Sequence, residues 1–190
     1  KPERTKKPPP RFFSNDEIRT ILDCEKVLLL KSNCKQTLKE ITIPQTFAMI
    51  RFMLSTGRRI QEVVHLKKKD IKFELGYYEV TKDKTERTNP VPKIFYLNDQ
   101  AVDALLPYYR LRNNGDDYIF CNQDGGFLTP TAAGTRIKRI FRMAGITDAA
   151  SKEFRHSFAS HLIMSGERLE EVRDHLGHTD VRTTQIYAHL

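Results

Sequence analysis

The sequence contains no apolar segment long enough to cross a bilayer. Its densest short run, Val27–Leu30, is flanked by lysines and falls far below the roughly 20 residues that a spanning helix needs. The N-terminus lacks the apolar stretch of a signal peptide, so the chain is expected to stay cytoplasmic. Cysteine is scarce. Cys24, Cys34 and Cys121 are an odd number without a CxxC spacing, which argues against a disulfide framework and a structural zinc site and favours reduced thiols. What is present is a globular composition: 190 residues, 39% hydrophobic and 29% charged, the size of one domain. Lys plus Arg (32) exceeds Asp plus Glu (24), so the net charge is 32 − 24 = +8. That surplus favours a polyanionic partner, nucleic acid before an anionic membrane surface.

Lys1–Arg11 carries four prolines and many basic residues and no periodicity that could bury a face. Residues 1–13 are therefore expected to be a basic, proline-rich linker, and 14–190 the folded domain, with any upstream domain outside this chain. Ser14-Asn15-Asp16-Glu17 predicts a capping box opening a helix that carries Ile18, Ile21 and Leu22. A second helix is expected from Thr42, with Gln45 three residues on, Phe47, Ile50 and Leu54 as its stripe, and Gly57 as its stop. A short third helix carries Ile60, Val63 and Val64. The period then alternates at Ile71, Phe73 and Leu75, turns at Gly76 and continues at Tyr78 and Val80. The prolines around Val91 confine a third strand to an edge. Helices are expected again over Asn98–Arg112, from Thr129-Pro130 to Gly145, and over Ser151–Ser165, Leu169–His175 and Asp180–Ala188, with Tyr118–Cys121 as a brief strand. The fold class is mainly α with a small antiparallel β-sheet (α+β).

Four segments carry candidate chemistry. In Thr56-Gly57-Arg58-Arg59-Ile60-Gln61-Glu62, Arg59 opens a helix whose free N–H groups favour an anion, and Glu62 lies on the same face to hold the guanidinium. Lys82 lies at the tip of the expected hairpin, with Lys84 and Arg87 as competitors. In Lys152-Glu153-Phe154-Arg155-His156-Ser157-Phe158, Lys152 and Arg155 are three apart, which places two cations on one exposed face. In the last segment His178 follows Gly177, and Tyr187 comes nine residues later. Taken singly, each also reads as an ordinary solvated or salt-bridged surface. Together they are cations and donors with one phenol, suited to a phosphorane whose equatorial oxygens need fixed donors. They lack the acidic cluster that would hold magnesium, so neither a metal nor a cofactor is expected.

The order Thr-Gly-x-Arg-Ile-x-Glu, hairpin lysine, Arg-His-Ser-Phe-Ala-x-His-Leu, Leu-Gly-His-x-Asp and Thr-Thr-x-x-Tyr resembles the catalytic domain of the tyrosine site-specific recombinases. These include the phage-type integrases and chromosome-dimer resolvases. Each piece alone is weak; the combination is specific and spans about Phe13 to Leu190. The resemblance implies that Arg59 and Arg155 are the two catalytic arginines, Glu62 the acidic buttress, Lys82 the hairpin lysine, His178 the late histidine and Tyr187 the nucleophile. The family usually has histidine three residues before its second arginine, where this sequence has Lys152. Lysine, with an unperturbed pKa of about 10.4 against about 6.5 for histidine, is assigned to phosphate binding rather than to proton abstraction.

The resemblance further implies a 3′-phosphotyrosyl DNA intermediate, double-stranded DNA as substrate and a tetramer on synapsed sites. The biological setting is integration and excision of a mobile element or resolution of replicon dimers. Arg136, Lys138, Arg139 and Arg142, on one expected helix, are candidates for further DNA contacts. Two alternatives stay open. A type IB topoisomerase-like enzyme would relax DNA without recombining paired sites, and an inactive DNA-binding relative would form no covalent adduct.

Overall fold

The computed structural model describes residues 10–30, 41–80, 92–178 and 183–189. Seven helices and three short strands follow in order: α1 (Asn15–Leu30), α2 (Ile43–Thr56), α3 (Ile60–His65), β1 (Ile71–Lys72), β2 (Tyr77–Val80), β3 (Lys93–Tyr96), α4 (Asp99–Arg110), α5 (Pro130–Met143), α6 (Lys152–Met164) and α7 (Leu169–Leu176). A 3-10 turn over Gln185–Tyr187 follows near the C-terminus. The mainly α fold with a small antiparallel sheet matches the sequence expectation.

Local chemistry sets most of these boundaries. At the start of α1 the Ser14 amide donates to Glu17 Oε2 at 2.9 Å and the Glu17 amide to Ser14 Oγ at 3.2 Å, the reciprocal capping box. Thr129 Oγ1 accepts from the Ala132 amide ahead of Pro130 at the start of α5, where a proline loses no helical bond. Thr42, expected to cap α2, makes no side-chain cap. Gln45, its supposed reciprocal partner, is buried next to Cys121 instead, because α2 is surrounded and its first turn faces protein rather than water.

Helix α2 is the centre of the molecule, packed against α1, α4, α5 and α6, with Phe47, Met49, Ile50, Phe52 and Met53 essentially inaccessible. A helix buried on nearly every side needs apolar residues all round rather than one stripe. Phe13 belongs to this core as well. Assigned to the linker by composition, its ring is fully buried, 5.4 Å from Phe141 and 5.3 Å from Phe154. Its amide donates to Ser157 Oγ at 2.7 Å and its carbonyl accepts from His161 Nε2 at 3.0 Å. Burial of such a ring contributes about 1.5–3 kcal/mol, so the packed unit starts ahead of α1. Arg11 joins it through ion pairs to Glu17 and Asp148.

The sheet runs β1-β2-β3, all antiparallel, with Tyr78 opposite Ile71 on one side and Phe95 on the other. The expected first strand is cut short. After Lys72 the chain makes a 3-10 turn over Phe73–Leu75, Phe73 packs edge-on to Tyr109 and Leu75 is exposed. The alternation there marks the reversal that returns the chain to β2. The third strand, Lys93–Tyr96, is at an edge as expected; Val91 lies outside the described residues. Tyr118–Cys121 makes only isolated bridges, to Lys67 and Phe127. Of the expected last helix, Asp180–Ala188, the described part is the 3-10 turn; 179–182 lie outside the described residues.

Two buried clusters result. The large one fills the space around α2. A small one, Ala159, Val172, Leu176 and Tyr187, fastens α7 and the final turn onto α6.

Candidate functional site

The site is assembled around two glycines in the left-handed region. Gly57 ends α2 at φ +65°, and a Cβ there would lie 2.5 Å from Phe158 Cδ1. Gly177 ends α7 at φ +66°, and a Cβ there would lie 2.7 Å from Phe95 Cζ. Both positions exclude a side chain on conformation and on space, and both turns bring backbone into the site.

The turn at Gly57 sends the next two arginines in different directions. Arg59 caps α3: its amide donates to Glu62 Oε2 at 2.9 Å and its Nη1 to Glu62 Oε1 at 3.1 Å. The guanidinium is held on the open side by the carboxylate that the spacing predicts. Arg58 is only 2% exposed. Its Nε donates to Thr56 O and its Nη2 to His175 O, and its guanidinium lies 3.6 Å over the Phe95 ring.

Arg155 corrects the sequence expectation. It does not share an exposed face with Lys152: Arg155 is buried at 6% exposure, whereas the Lys152 side chain is 73% exposed. The Arg155 Nη1 donates to Gly57 O at 2.7 Å and its Nη2 to Leu176 O at 2.8 Å. With five N–H donors, it keeps up to three for a ligand. Burial, with Arg59 and Arg58 nearby, pulls its pKa down to about 10, so it stays cationic at neutral pH. Lys93, on β3, donates to Gly177 O at 2.7 Å. Three cations from three elements thus grip the carbonyls of His175, Leu176 and Gly177, the negative end of the α7 dipole.

His178 follows this clamp. Its Nδ1 lies 2.9 Å from the hydroxyl of buried Thr184. Burial, then Arg155, Arg59, Arg58 and Lys93, push its pKa down to about 4, so the ring is neutral at pH 7. Tyr187, 1% exposed, places its hydroxyl 2.6 Å from His156 Nδ1. Burial raises the phenol to about 12, opposed by Arg155 and Arg59.

A cavity of about 380 Å³ is lined by Arg59, Lys152, Arg155, His156, His178 and Tyr187. Five of the six predicted catalytic positions therefore meet at one opening. The sixth, Lys82, lies outside the described residues. Of α5, Pro130 reaches this cavity. Lys138, Arg139 and Arg142 are exposed farther along the helix and Arg136 is half-buried near Gln45. A second cavity, of about 610 Å³ and mostly apolar, lies between α1, α2, α4 and α6 and contains none of the predicted residues. Among the described residues no group of three His, Cys, Asp or Glu gathers to hold a metal ion, and no helix is long and apolar enough to cross a membrane.

His156 was missed as a site residue, although a usable signal was present. It lies four positions after Lys152, so on a helix the two share a face. Chemically, the cavity offers fixed positive donors to an oxyanion, next to a phenol in contact with an imidazole.

Residues 13–190 match the phage integrase family. The chain is 34% identical over 146 residues to the tyrosine recombinase XerD of Listeria innocua, covering 75% of this chain and 49% of that protein. It is 31% identical over 188 residues to XerD of Oceanobacillus iheyensis, covering 95% of this chain and 58% of the relative. The chain thus spans about half the length of these curated relatives. The crystal structure of XerA recombinase superposes with a TM-score of 0.73 at 24% identity, over 100% of this chain and 62% of that one.

Proposed function

The chain belongs to the phage integrase family, and from that premise we propose that it breaks and rejoins double-stranded DNA in site-specific recombination. Residues 14–190, with Phe13 packed beneath them, act as the catalytic domain. The observation that carries this reading is the single cavity lined by two arginines, a lysine, two histidines and a buried tyrosine.

In the proposed reaction the Tyr187 hydroxyl attacks a backbone phosphorus. The phenol loses its proton, a phosphorus–oxygen bond forms to Tyr187, and the bond to the 5′-oxygen breaks. Arg59 and Arg155 hold the nonbridging oxygens, the first steadied by Glu62 and the second by the carbonyls of Gly57 and Leu176. Fixed donors of this kind stabilise the transition state more than the ground state, because they are aimed at charge that develops during attack. Lys152, exposed at the rim, adds a third cation to the phosphate. His178, neutral in this setting, donates one N–H. Lys82 protonates the leaving 5′-oxygen. The phosphotyrosyl link conserves the energy of the broken bond, so a 5′-hydroxyl from a partner duplex can reverse the step and exchange strands. Exchange between two duplexes calls for a homotetramer on synapsed sites. Exposed Lys138, Arg139 and Arg142 supply phosphate contacts outside the cavity, and Arg136 supports them from its half-buried position.

The test uses a nicked duplex carrying a site selected by binding to this chain from a random pool. The nick lets the 5′-hydroxyl fragment diffuse away and traps the covalent product. A protein–DNA adduct that is lost in Tyr187→Phe supports the reading. An adduct that persists in Tyr187→Phe removes Tyr187 from its role.

A further inference from the structure

Resting on the transesterification reading above, we propose that His156 accepts the phenolic proton of Tyr187 as the tyrosine attacks phosphorus. The same imidazole returns that proton when the phosphotyrosyl link is reversed.

Geometry is the first support. His156 Nδ1 lies 2.6 Å from Tyr187 Oη, and the rings are 5.8 Å apart at 54°. That is within the roughly 2.6–3.2 Å reach required of a general base. The contact joins α6 to the final turn, 31 positions apart, so it is made by the fold and not by local sequence.

Elimination is the second. Of the groups on this wall, Arg59, Arg155 and Lys152 are cations with no lone pair to accept a proton. Glu62 is turned to the Arg59 guanidinium and amide. The Nδ1 of His178 is on Thr184 Oγ1, and its other nitrogen is the one that donates its N–H to the phosphate in the reaction above. Among the described residues, His156 is the imidazole in direct contact with the phenol.

Charge is the third. His156 is half-buried, and burial together with Lys152 and Arg155 pushes its pKa below the usual histidine value, with Glu153 pulling the other way. Its lone pair is therefore free at neutral pH. The same cations oppose an imidazolium before an anion binds. A bound phosphate, and then the phosphorane, adds negative charge next to them and relieves that opposition. As the Tyr187 oxygen bonds to phosphorus its proton becomes far more acidic, so transfer runs downhill late in the attack. The proton moves from Oη to Nδ1, which requires the Nε2–H tautomer beforehand.

The experiment measures adduct formation against pH on the nicked duplex described above, with binding of the intact duplex measured in parallel. His156→Gln and His156→Ala should slow adduct formation by about 10²–10⁴-fold, while DNA affinity stays within about threefold of the parent. Millimolar imidazole should restore part of the rate to His156→Ala, following the titration of free imidazole. The proposal is overturned if His156→Gln reacts within about threefold of the parent with an unchanged pH profile, or if imidazole leaves His156→Ala unaltered. Nitrogen-15 NMR of the unmodified chain tests it without a variant: an Nδ1–H tautomer at His156 overturns the proposal, and an Nε2–H tautomer supports it. No adduct from the parent chain, or an adduct from Tyr187→Phe, would instead overturn the transesterification reading itself.

Discussion

Replacing Arg58 by leucine tests whether the buried guanidinium holds the site together. Arg58 is 2% exposed and donates to the carbonyls of Thr56 and His175, with Phe95 at 3.6 Å beneath it. Arg58→Leu removes both donors, and a buried carbonyl left without a partner costs about 1–3 kcal/mol. It also removes a desolvated cation–π contact worth about 2 kcal/mol. Against this, leucine needs no charge desolvation, and exchanging a buried ion for an apolar side chain can regain about 1–4 kcal/mol. The Glu62 carboxylate is 3.9 Å away, too far for a strong ion pair, so little attraction is lost there. The balance is a destabilisation of roughly 2 kcal/mol. For a domain of this size that lowers Tm by about 4–8 °C. Arg58→Lys keeps the charge but not the fork, so it should recover less than half of the loss. Calorimetry or denaturant unfolding reads both. A Tm for Arg58→Leu equal to or above that of the parent would refute the claim that the guanidinium clamps α7 to the Gly57 turn.

Gly177→Ala should cost about 2–4 kcal/mol by adding left-handed strain and overpacking, since its Cβ would lie 2.7 Å from Phe95; equilibrium unfolding checks this. Acid should destabilise the fold through His178, whose pKa falls from 6.5 unfolded to about 4 folded. Between these values the unfolded chain binds more protons, so stability falls as pH drops, by at most about 1.4 kcal/mol per pH unit. His178→Leu should flatten that segment of a stability-against-pH curve. If Arg139 contacts a DNA phosphate, Arg139→Ala should lower the slope of log K against log salt by about 1, and an unchanged slope removes it from the interface.

Features encoded within a few residues were legible in advance. The Ser14–Glu17 box, the Thr129-Pro130 start and the Arg59–Glu62 pair each satisfy their own backbone, and the structure has all three. Features that depend on distant partners were not. Phe13 is core because Phe141 and Phe154 meet it, although a run of prolines and basic residues leads up to it. Arg155 is buried because carbonyls 98 and 21 positions away accept its hydrogens; a helical wheel reads such an arginine as exposed. His156 stands next to that arginine in sequence, yet its role depends on a phenol carried by the last turn. The alternation at Phe73 and Leu75 misled because a reversing chain and a strand can share a pattern over three residues.

The partners chosen for the buried cations bear on the chemistry. Arg58, Arg155 and Lys93 are fixed on carbonyls at the end of α7. A helix C-terminus carries only about half an elementary charge, so its carbonyls orient Arg58 and Arg155 without neutralising them. Carboxylates in the same places would have oriented them equally well and cancelled the field. Burial first, and then Arg155, Arg59, Arg58 and Lys93, push the His178 pKa down, so the positive charge of these groups reaches the ring. A site held positive by backbone is already organised for an incoming oxyanion, so little rearrangement is needed when charge develops. On this reasoning, a carboxylate introduced near the α7 terminus should weaken anion binding in the cavity even where it leaves every hydrogen bond of the clamp intact.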